Sequence, residues 1–342
     1  MNPTPEHAAG TLELVADIGG TNARFALVDP AAATPGLLHP QALPTADFAS
    51  LQHAAEHYLS SVGAQPRRAA IAVASPVDVD EIRLTNRAWS FSRRELRQSL
   101  GLDALLLLND FGAIAWAVPA LGAADCIPLY GPAAMPPRGP VTVLGPGTGL
   151  GVALLVGAPA RGWQAVETEG GHVTFAPLGE EEQVLARWLT AQFGRASNER
   201  VLCGNGLAHI DAVLREAGPA APRAPLLLRE PALREPADIV AAALEGHDQV
   251  ARRALARFCA VLGSVAGDAA LMHGARTLLI AGGIVPRFVP FLRSSAFRER
   301  FLAKGRFAAY LESVAIAVIV HPNPGLLGAA VALRHAEGLA DG

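Results

Sequence analysis

The stretch DIGGTNARF, Asp17–Phe25, decides the fold, because it places a glycine turn between two apolar runs of strand length. Leu12–Ala16 precedes the turn and Arg24–Val28 follows it, with no room for a helix between them. The pattern therefore predicts a β-hairpin rather than a strand–helix–strand unit. Glycines in such a turn let the backbone approach a ligand closely, and successive N–H groups there can hold a phosphate. An ordinary hairpin with Asp17 at its mouth is the alternative interpretation.

A second glycine turn, GPGTGLG at Gly145–Gly151, again joins two apolar runs. It is not the dinucleotide-binding fingerprint, because a strand rather than a helix follows it. Two such hairpins could hold a polyphosphate from both sides through backbone amides and the hydroxyl of Thr148. Asp17 could then meet a magnesium ion, directly or through water.

Polar or small residues follow two further predicted strands. Asn109 and Asp110 come directly after the apolar run Leu105–Leu108, at the strand end where open α/β sheets bind ligands. A carboxylate there could take the proton from an attacking hydroxyl, although Asp110 could also serve as the N-cap of the next helix. Gly282 and Gly283 could lie against an adenosine, or they could serve only close packing.

A second polar cluster lies in the segment Glu169–His172, with sequence EGGH. The two glycines allow a tight fold in which Glu169 and His172 converge on one small ligand. Glu199 precedes a predicted Gly-Asn-Gly-Leu turn at Gly204–Leu207, and by itself it would pass as a surface charge.

Composition limits the possible functions. The chain has 342 residues, which predicts two domains, and its 28 basic against 31 acidic residues give a net charge of −3 without the basic footprint of a nucleic-acid binder. Lys304 is the only lysine, and its neighbours fit neither a P-loop, a protein-kinase lysine nor a Schiff-base lysine.

No feature predicts secretion or a membrane. The three cysteines lie far apart, which disfavours a disulfide framework or a zinc site, and the N-terminus has no apolar signal run. The uncharged stretch 139–160 contains six glycines and three prolines, so short strands and turns are expected there. We therefore expect a soluble, cytoplasmic protein.

Taken together, the motifs resemble those of bacterial ATP-dependent glucokinases, in the hexokinase/actin/Hsp70-like superfamily. DIGGTNARF is similar to the first phosphate motif of that family. The other matches, in chain order, are TNRAWSF at Thr85–Phe91, NDF at Asn109–Phe111, GPGTGLG at Gly145–Gly151, EGGH at Glu169–His172, NERVLCGNGL at Asn198–Leu207 and AGGIVPRF at Ala281–Phe288. Gly218–Pro236 is expected to be a variable surface loop.

The resemblance implies an α/β, ribonuclease-H-like (actin-like ATPase) fold with two domains and a central cleft. Residues 1–110 with about 322–342 would form the small domain, and residues 111–321 the large one. Asp110 would be the catalytic base, and Asn109, Glu169, His172 and Glu199 would bind the sugar. The nucleotide and its Mg²⁺, with Asp17 facing the metal, would be held by Ala16, Asp17, Ile18, Gly19, Gly20, Thr21, Gly147, Thr148, Gly149, Gly282 and Gly283.

The implied activity is transfer of the γ-phosphoryl group of ATP to the 6-hydroxyl of D-glucose, a step of glycolysis, by a cytoplasmic homodimer. A kinase for another hexose, such as mannose or fructose, is the alternative on the same fold. A sugar-responsive regulator is disfavoured, because it would need a DNA-binding module before Asp17 and only 16 residues stand there.

Overall fold

The computed structural model describes residues 12–75, 77, 79–84, 89–217 and 232–340. Part of the TNRAWSF motif (85–88) and most of the expected loop (218–231) lie outside the described residues. The chain divides into two compact units. The first takes its described residues from Met1–Gly122, Pro159–Glu167 and His321–Gly342, and the second from Ala123–Ala158 and Thr168–Val320.

Strands and helices alternate along the described chain. The strands are β1 Glu13–Ile18, β2 Asn22–Val28, β3 Leu38–Pro44, β4 Arg68–Val73, β5 Glu81–Arg83, β6 Ser90–Ser92, β7 Ala104–Asn109, β8 Cys126–Tyr130, β9 Val141–Pro146, β10 Leu150–Ala158, β11 Gly162–Thr168, β12 Thr277–Ile280 and β13 Ala315–Ile319. The helices are α1 Leu51–Val62, α2 Arg93–Ser99, α3 Asp110–Ala117, α4 Gly179–Phe193, α5 Asn198–Val201, α6 Gly204–Ala217, α7 Pro236–Glu245, α8 Gln249–His273, α9 Val289–Ser294, α10 Phe297–Leu302, α11 Ala308–Glu312 and α12 Pro324–Ala340.

The first unit is built on a sheet with the strand order β3-β2-β1-β4-β7. Strands β1 and β2 are antiparallel, which confirms the predicted hairpin. Strands β1, β4 and β7 are parallel, so their carboxyl ends meet at one edge of the sheet. Ile18, Val73 and Asn109 lie level across these strands, which places the end of β7 about 10 Å from the end of β1.

Both faces of this sheet are covered, as the alternation of side chains along β1 requires. Leu14 and Ile18 belong to a core on the face of α1, whereas Val15 belongs to a separate core with Leu326 of α12 and Ala113 of α3. Helix α2 begins after Ser92, whose hydroxyl accepts the N–H of Glu95 and so caps the helix.

The second unit contains a sheet in which β10, β9, β12, β13 and β8 are consecutive neighbours. Strands β9 and β10 form the second predicted hairpin, and β12 runs parallel to both β9 and β13. The uncharged stretch 139–160 is therefore two strands and a turn, as its glycines and prolines predict.

Helix α8 is the central packing element of the second unit. It is the one helix among the described residues that is long and apolar enough to cross a membrane by length and composition. The most apolar 18-residue stretch of this helix is 72% buried inside the protein, as expected of a core helix. Phe258 and Leu262 of this helix are fully buried.

One local prediction in this unit is wrong. The Gly-Asn-Gly-Leu sequence is not a turn, because helix α6 begins at Gly204 and includes all four residues. The glycine at position 206 packs against the backbone of Val201, so its small size serves close approach of α6 to α5.

A buried carboxylate joins three helices of the second unit. Glu182 of α4 is fully buried, and its oxygens accept hydrogen bonds from the N–H of Leu178, from Arg257 of α8 at 3.0 Å and from Arg300 of α10 at 2.8 and 3.0 Å. Removing one member of such a group leaves buried charge without compensation.

We expect Glu182→Ala to lower the free energy of unfolding by about 3–5 kcal/mol, because two arginines lose a buried partner. Urea-induced unfolding measures the change. The matched control is Glu180→Ala in the first turn of the same helix, since Glu180 is half exposed and makes a surface pair with Arg187. That pair should contribute less than about 1 kcal/mol. Equal losses in the two variants would contradict the account.

Candidate active site

The first glycine turn is held by bonds to its carbonyl groups. Gly19 donates its N–H to the carbonyl of Asn22 at 3.0 Å. Thr45 donates its hydroxyl to the carbonyls of Gly20 and Thr21, and its N–H also bonds to Thr21. These bonds fix the shape of the turn through its acceptors, at the edge of the sheet where β1 ends.

Asp17 lies where this hairpin meets helix α12. Its side chain keeps 22% exposure, and the Arg24 guanidinium opposite it on β2 lies 3.8 Å from the carboxylate. Burial raises the pKa of Asp17, and Arg24 acts in the opposite direction. Gly325, in the first turn of α12, makes room for this carboxylate. A partly buried, partly accessible carboxylate of this kind suits a cation.

The strand-to-helix junction at the end of β7 carries Asn109 and Asp110. Asn109 is the N-cap of α3, because its side-chain oxygen accepts the N–H groups of Phe111 and Gly112 at 2.9 and 3.2 Å. The N-cap interpretation of Asp110 is therefore wrong. Asp110 is the first residue of the helix, and its Oδ1 lies 2.8 Å from the N–H of Phe111. A cap at Asp110 would require the helix to begin at Phe111, but α3 begins at Asp110, directly after the last residue of β7.

Glu167, near the end of β11, is a residue of this junction that the sequence did not reveal. Its Oε1 accepts the backbone N–H of Asn109 at 2.8 Å, across 58 residues of sequence. Nothing in the local sequence VETEGGH distinguishes Glu167 from an ordinary surface glutamate, so only the tertiary structure could identify it.

In the second unit, the glycine turn after β9 lies against two other segments. Gly147 donates its N–H to the carbonyl of Gly149, and its own carbonyl accepts the N–H of Gly204 at the start of α6. Gly282 has a left-handed backbone with φ of 89° and packs directly on the carbonyl of Pro146. The structure thus brings together Gly147–Gly149 and Gly282, which the sequence predicts as nucleotide-binding.

The predicted sugar-binding residues of the second unit also lie together. His172 is 3.9 Å from Glu169 through Nε2 and 3.9 Å from Glu199 through Nδ1. Glu169 and His172 are largely exposed, whereas the side chain of Glu199 is 31% exposed. Arg195 donates a hydrogen bond to the carbonyl of His172 at 2.5 Å and so anchors this segment. Glu169, His172 and Glu199 therefore lie side by side, and their binding of one ligand stays a prediction.

Glu199 also connects this cluster to the glycine turn. Its Oε2 accepts the N–H of Leu150, the residue that ends the turn, at 2.9 Å, while its Oε1 faces His172. Gly149 leaves the space for this bond, because a Cβ there would collide with Oε2. One carboxylate therefore touches both the predicted phosphate-binding turn and the predicted sugar-binding cluster.

The short helix α5, which carries Glu199, packs against helices α4 and α6. The ring of His209 on α6 packs against Trp188 and Phe193 of α4, and burial lowers the pKa of His209. The guanidinium of Arg200 lies 4.0 Å from the ring centroid of Phe193. Packing on α4 and α6 thus fixes the direction in which Glu199 points.

The single lysine is engaged in the second unit's own structure. Lys304 pairs with Asp268 at 2.5 Å and donates to the carbonyl of Ser264 at 3.1 Å, with only 14% of its side chain exposed. Among the described residues, no group of three or more His, Cys, Asp or Glu side chains could hold a metal alone.

With this geometry established, comparison with known proteins identifies the family, because the glucokinase profile matches residues 14–336. The chain belongs to the glucokinase family. A glucokinase of Ralstonia nicotianae is 44% identical over 335 residues, covering 94% of this chain and 95% of that protein. A glucokinase of Stenotrophomonas maltophilia (strain K279a) is 43% identical over 332 residues and 95% of each chain. The crystal structure of a glucokinase from an Antarctic psychrotroph matches with a TM-score of 0.79 at 36% identity, covering 95% of this chain and 99% of that one.

Membership of the glucokinase family makes the protein a hexose kinase, a phosphotransferase. The predicted α/β fold of the actin-like ATPase class is confirmed. The first unit carries Ala16–Thr21, Asn109 and Asp110, and the second carries the remaining predicted site residues.

We expect Gly149→Ala to release the N–H of Leu150, because the new methyl group would displace Glu199 Oε2. A backbone bond to a charged acceptor contributes about 1.5–3 kcal/mol, so amide exchange at Leu150 should accelerate about 10- to 150-fold. Hydrogen exchange measured by NMR tests this. The matched control is Gly147→Ala in the same turn, where a Cβ meets nothing within 4 Å. Unchanged protection of Leu150 in Gly149→Ala would refute the assignment.

Proposed function

We propose that this protein transfers the γ-phosphoryl group of ATP to the 6-hydroxyl of D-glucose, forming glucose 6-phosphate and ADP, with Asp110 as general base. The observation that carries the proposal is the junction at the end of β7, which sets a carboxylate at the first position of α3. The first glycine turn follows β1 at the same edge of the sheet.

Asp110 would accept the proton of the 6-hydroxyl as its oxygen attacks the γ-phosphorus and the bond to the β-phosphate oxygen breaks. Phosphoryl transfer asks little covalent chemistry of the protein, so positioning and charge stabilisation supply most of the rate. The oxygen of Asn109 is used in capping α3, which leaves its amide nitrogen as the donor toward a sugar hydroxyl.

Glu169, His172 and Glu199 would bind the remaining hydroxyl groups of the sugar. Two carboxylates and an imidazole supply acceptors and a donor within one cluster, as a polyol requires. A site built of such groups rejects analogues that leave one of them unpaired. Discrimination between glucose, an epimer and a ketose would then follow from which of their hydroxyl groups these side chains pair.

The nucleotide would be held by Ala16–Thr21, by Gly147–Gly149 and by Gly282–Gly283. Backbone N–H groups and the hydroxyls of Thr21 and Thr148 supply donors to phosphate in place of a lysine. A Cβ at Gly147 or Gly283 would meet nothing within 4 Å, so open space for a ligand adjoins both.

Asp17 fits a magnesium ion delivered with the nucleotide. Mg²⁺ is typically bound by one or two carboxylates together with substrate phosphates and water, and Asp17 offers one accessible carboxylate beside the phosphate-type turn. When bound, the ion would offset negative charge on the phosphates. We also propose a homodimer in the cytoplasm, and the three free, buried cysteines suit a reducing compartment.

We expect glucose to be phosphorylated with the highest kcat/KM in an assay of glucose, mannose and fructose with ATP, and EDTA to abolish turnover. The reaction is first quenched, and the ADP released is then measured by coupled oxidation of NADH. Excess magnesium is added at this second step, so that EDTA does not inhibit the coupling enzymes. A higher kcat/KM for mannose or fructose would contradict the proposed substrate, and full turnover in EDTA would contradict the metal.

Asp110→Asn should lower kcat by about 10²–10⁴-fold while glucose still binds, because an amide retains the size of the carboxylate but cannot take up the proton. Steady-state kinetics and calorimetric glucose binding measure the two quantities. Asp47→Asn, an exposed aspartate of the same unit, is the control. Substantial turnover by Asp110→Asn would rule out its role as the base.

A further inference from the structure

Glu167 lies outside every motif of the sequence, yet it bonds to the junction that carries the base. We propose that Glu167 is a positioning residue, whose carboxylate fixes the backbone of Asn109 and thereby the orientation of Asp110. This inference rests on the proposed function, because it takes Asp110 as the general base.

The bond forms where strand β7 leaves its sheet. Strand β7 is at the end of the order β3-β2-β1-β4-β7, so a backbone N–H on its outer side has no neighbouring strand to accept it. Glu167 Oε1 accepts the N–H of Asn109 at 2.8 Å. A hydrogen bond to an ionised carboxylate is roughly twice as strong as a neutral one, so this contact restrains the end of the strand although Glu167 is exposed.

Gly112 supplies the space that this bond needs. A Cβ at position 112 would lie 2.6 Å from both Cγ and Oε1 of Glu167, and its three nearest atoms all belong to that side chain. Glycine inside a helix is unfavourable relative to alanine. Its presence in the first turn of α3 is explained by the passage of Glu167 across that turn to Asn109.

Asn109 is consequently held from two directions. Its side-chain oxygen caps Phe111 and Gly112, and its backbone N–H is fixed by Glu167. Asp110 is the next residue, so its direction follows from the backbone of Asn109. A misplacement of about 1 Å of a reacting group can cost about a hundredfold in rate. Glu167 does not touch the reacting atoms in this account and acts through Asn109.

Glu167 is also close in sequence to a residue that is proposed to bind the sugar. It stands two residues before that residue, Glu169. Between them, Thr168 donates its hydroxyl to the carbonyl of Val152 at 2.7 Å and accepts the N–H of Gly170. The backbone that follows Glu167 is thus restrained at Thr168 and Gly170.

The test compares Glu167→Ala, Glu167→Gln, Gly112→Ala and the double variant Gly112→Ala/Glu167→Ala. We expect Glu167→Ala and Gly112→Ala each to lower kcat about tenfold to a hundredfold, with KM for glucose and ATP within about twofold of the parent. Glu167→Gln keeps an acceptor oxygen and should recover kcat to within about threefold of the parent. Glu56→Ala, at an exposed glutamate on α1, is the matched control.

The double variant separates positioning from a general loss of structure. Because the three atoms nearest to a Cβ at position 112 all belong to Glu167, we expect Gly112→Ala to act by displacing that side chain. The double variant should then have the kcat of the worse single variant, not the product of the two losses. Adding Gly112→Ala to Glu167→Ala should also raise the melting temperature, since alanine favours the helix. Activity and stability then move independently, which a merely structural role would not produce.

Parental kcat in Glu167→Ala, losses that multiply in the double variant, or Glu167→Gln as poor as Glu167→Ala would each overturn the proposal. Asp110→Asn is measured in parallel. If Asp110→Asn is inactive while Glu167→Ala is normal, only the positioning role fails. If Asp110→Asn is active, the proposed base itself fails. Should Glu167→Ala not fold, Gly112→Ala carries the same test alone.

Discussion

In each unit, a glutamate carboxylate accepts the backbone N–H of the turn on which the proposed chemistry depends. Glu167 holds the N–H of Asn109 in the first unit, and Glu199 holds the N–H of Leu150 in the second. Backbone N–H groups at a strand end or a turn have no ladder partner, and leaving one unpaired is costly. A charged acceptor satisfies the group and fixes the turn with it.

A glycine accompanies each of these glutamates. Gly112 faces Glu167 and Gly149 faces Glu199, and a side chain at either glycine would displace the carboxylate. The two glycines therefore contribute space for a partner rather than a special backbone angle, and neither has a positive φ. At both positions, the glycine leaves space for a carboxylate from a distant part of the chain.

The proposed phosphate binding does not depend on a lysine. Lys304 is tied to Asp268 and Ser264, so it has a structural role in its own unit. The proposed phosphate contacts instead come from backbone amides in two glycine turns and from threonine hydroxyls. The carbonyl groups of Gly20 and Thr21 in the first turn accept hydrogen bonds from Thr45, so these two acceptors are already paired within the protein.

Local features of the fold followed from the sequence. Both hairpins depend on a glycine turn between two apolar runs, which is a property of neighbouring residues. The resemblance to glucokinases correctly identified the family. The proximity of Glu169 and His172 was also predictable, because only two glycines separate them.

Features that depend on residues distant in the chain could not be predicted from the sequence. The sequence left open a cap of α3 at Asp110, because it does not show that the helix begins directly after Asn109, which pairs with Val73 as the last residue of β7. The start of α6 at Gly204 was missed because its glycines suggested a turn, whereas their smallness serves packing on α5. Glu167 contributes through a bond spanning 58 residues, for which no local pattern exists.

The most direct test of the central claim is a crystal structure with glucose, Mg²⁺ and a non-hydrolysable ATP analogue, from which the distance between Asp110 and the sugar O6 is measured. The account predicts a carboxylate oxygen of Asp110 within about 3.2 Å of O6, the range for proton transfer to a general base. An O6 bonded instead to Glu169 or Glu199, with Asp110 out of hydrogen-bond range, would contradict it.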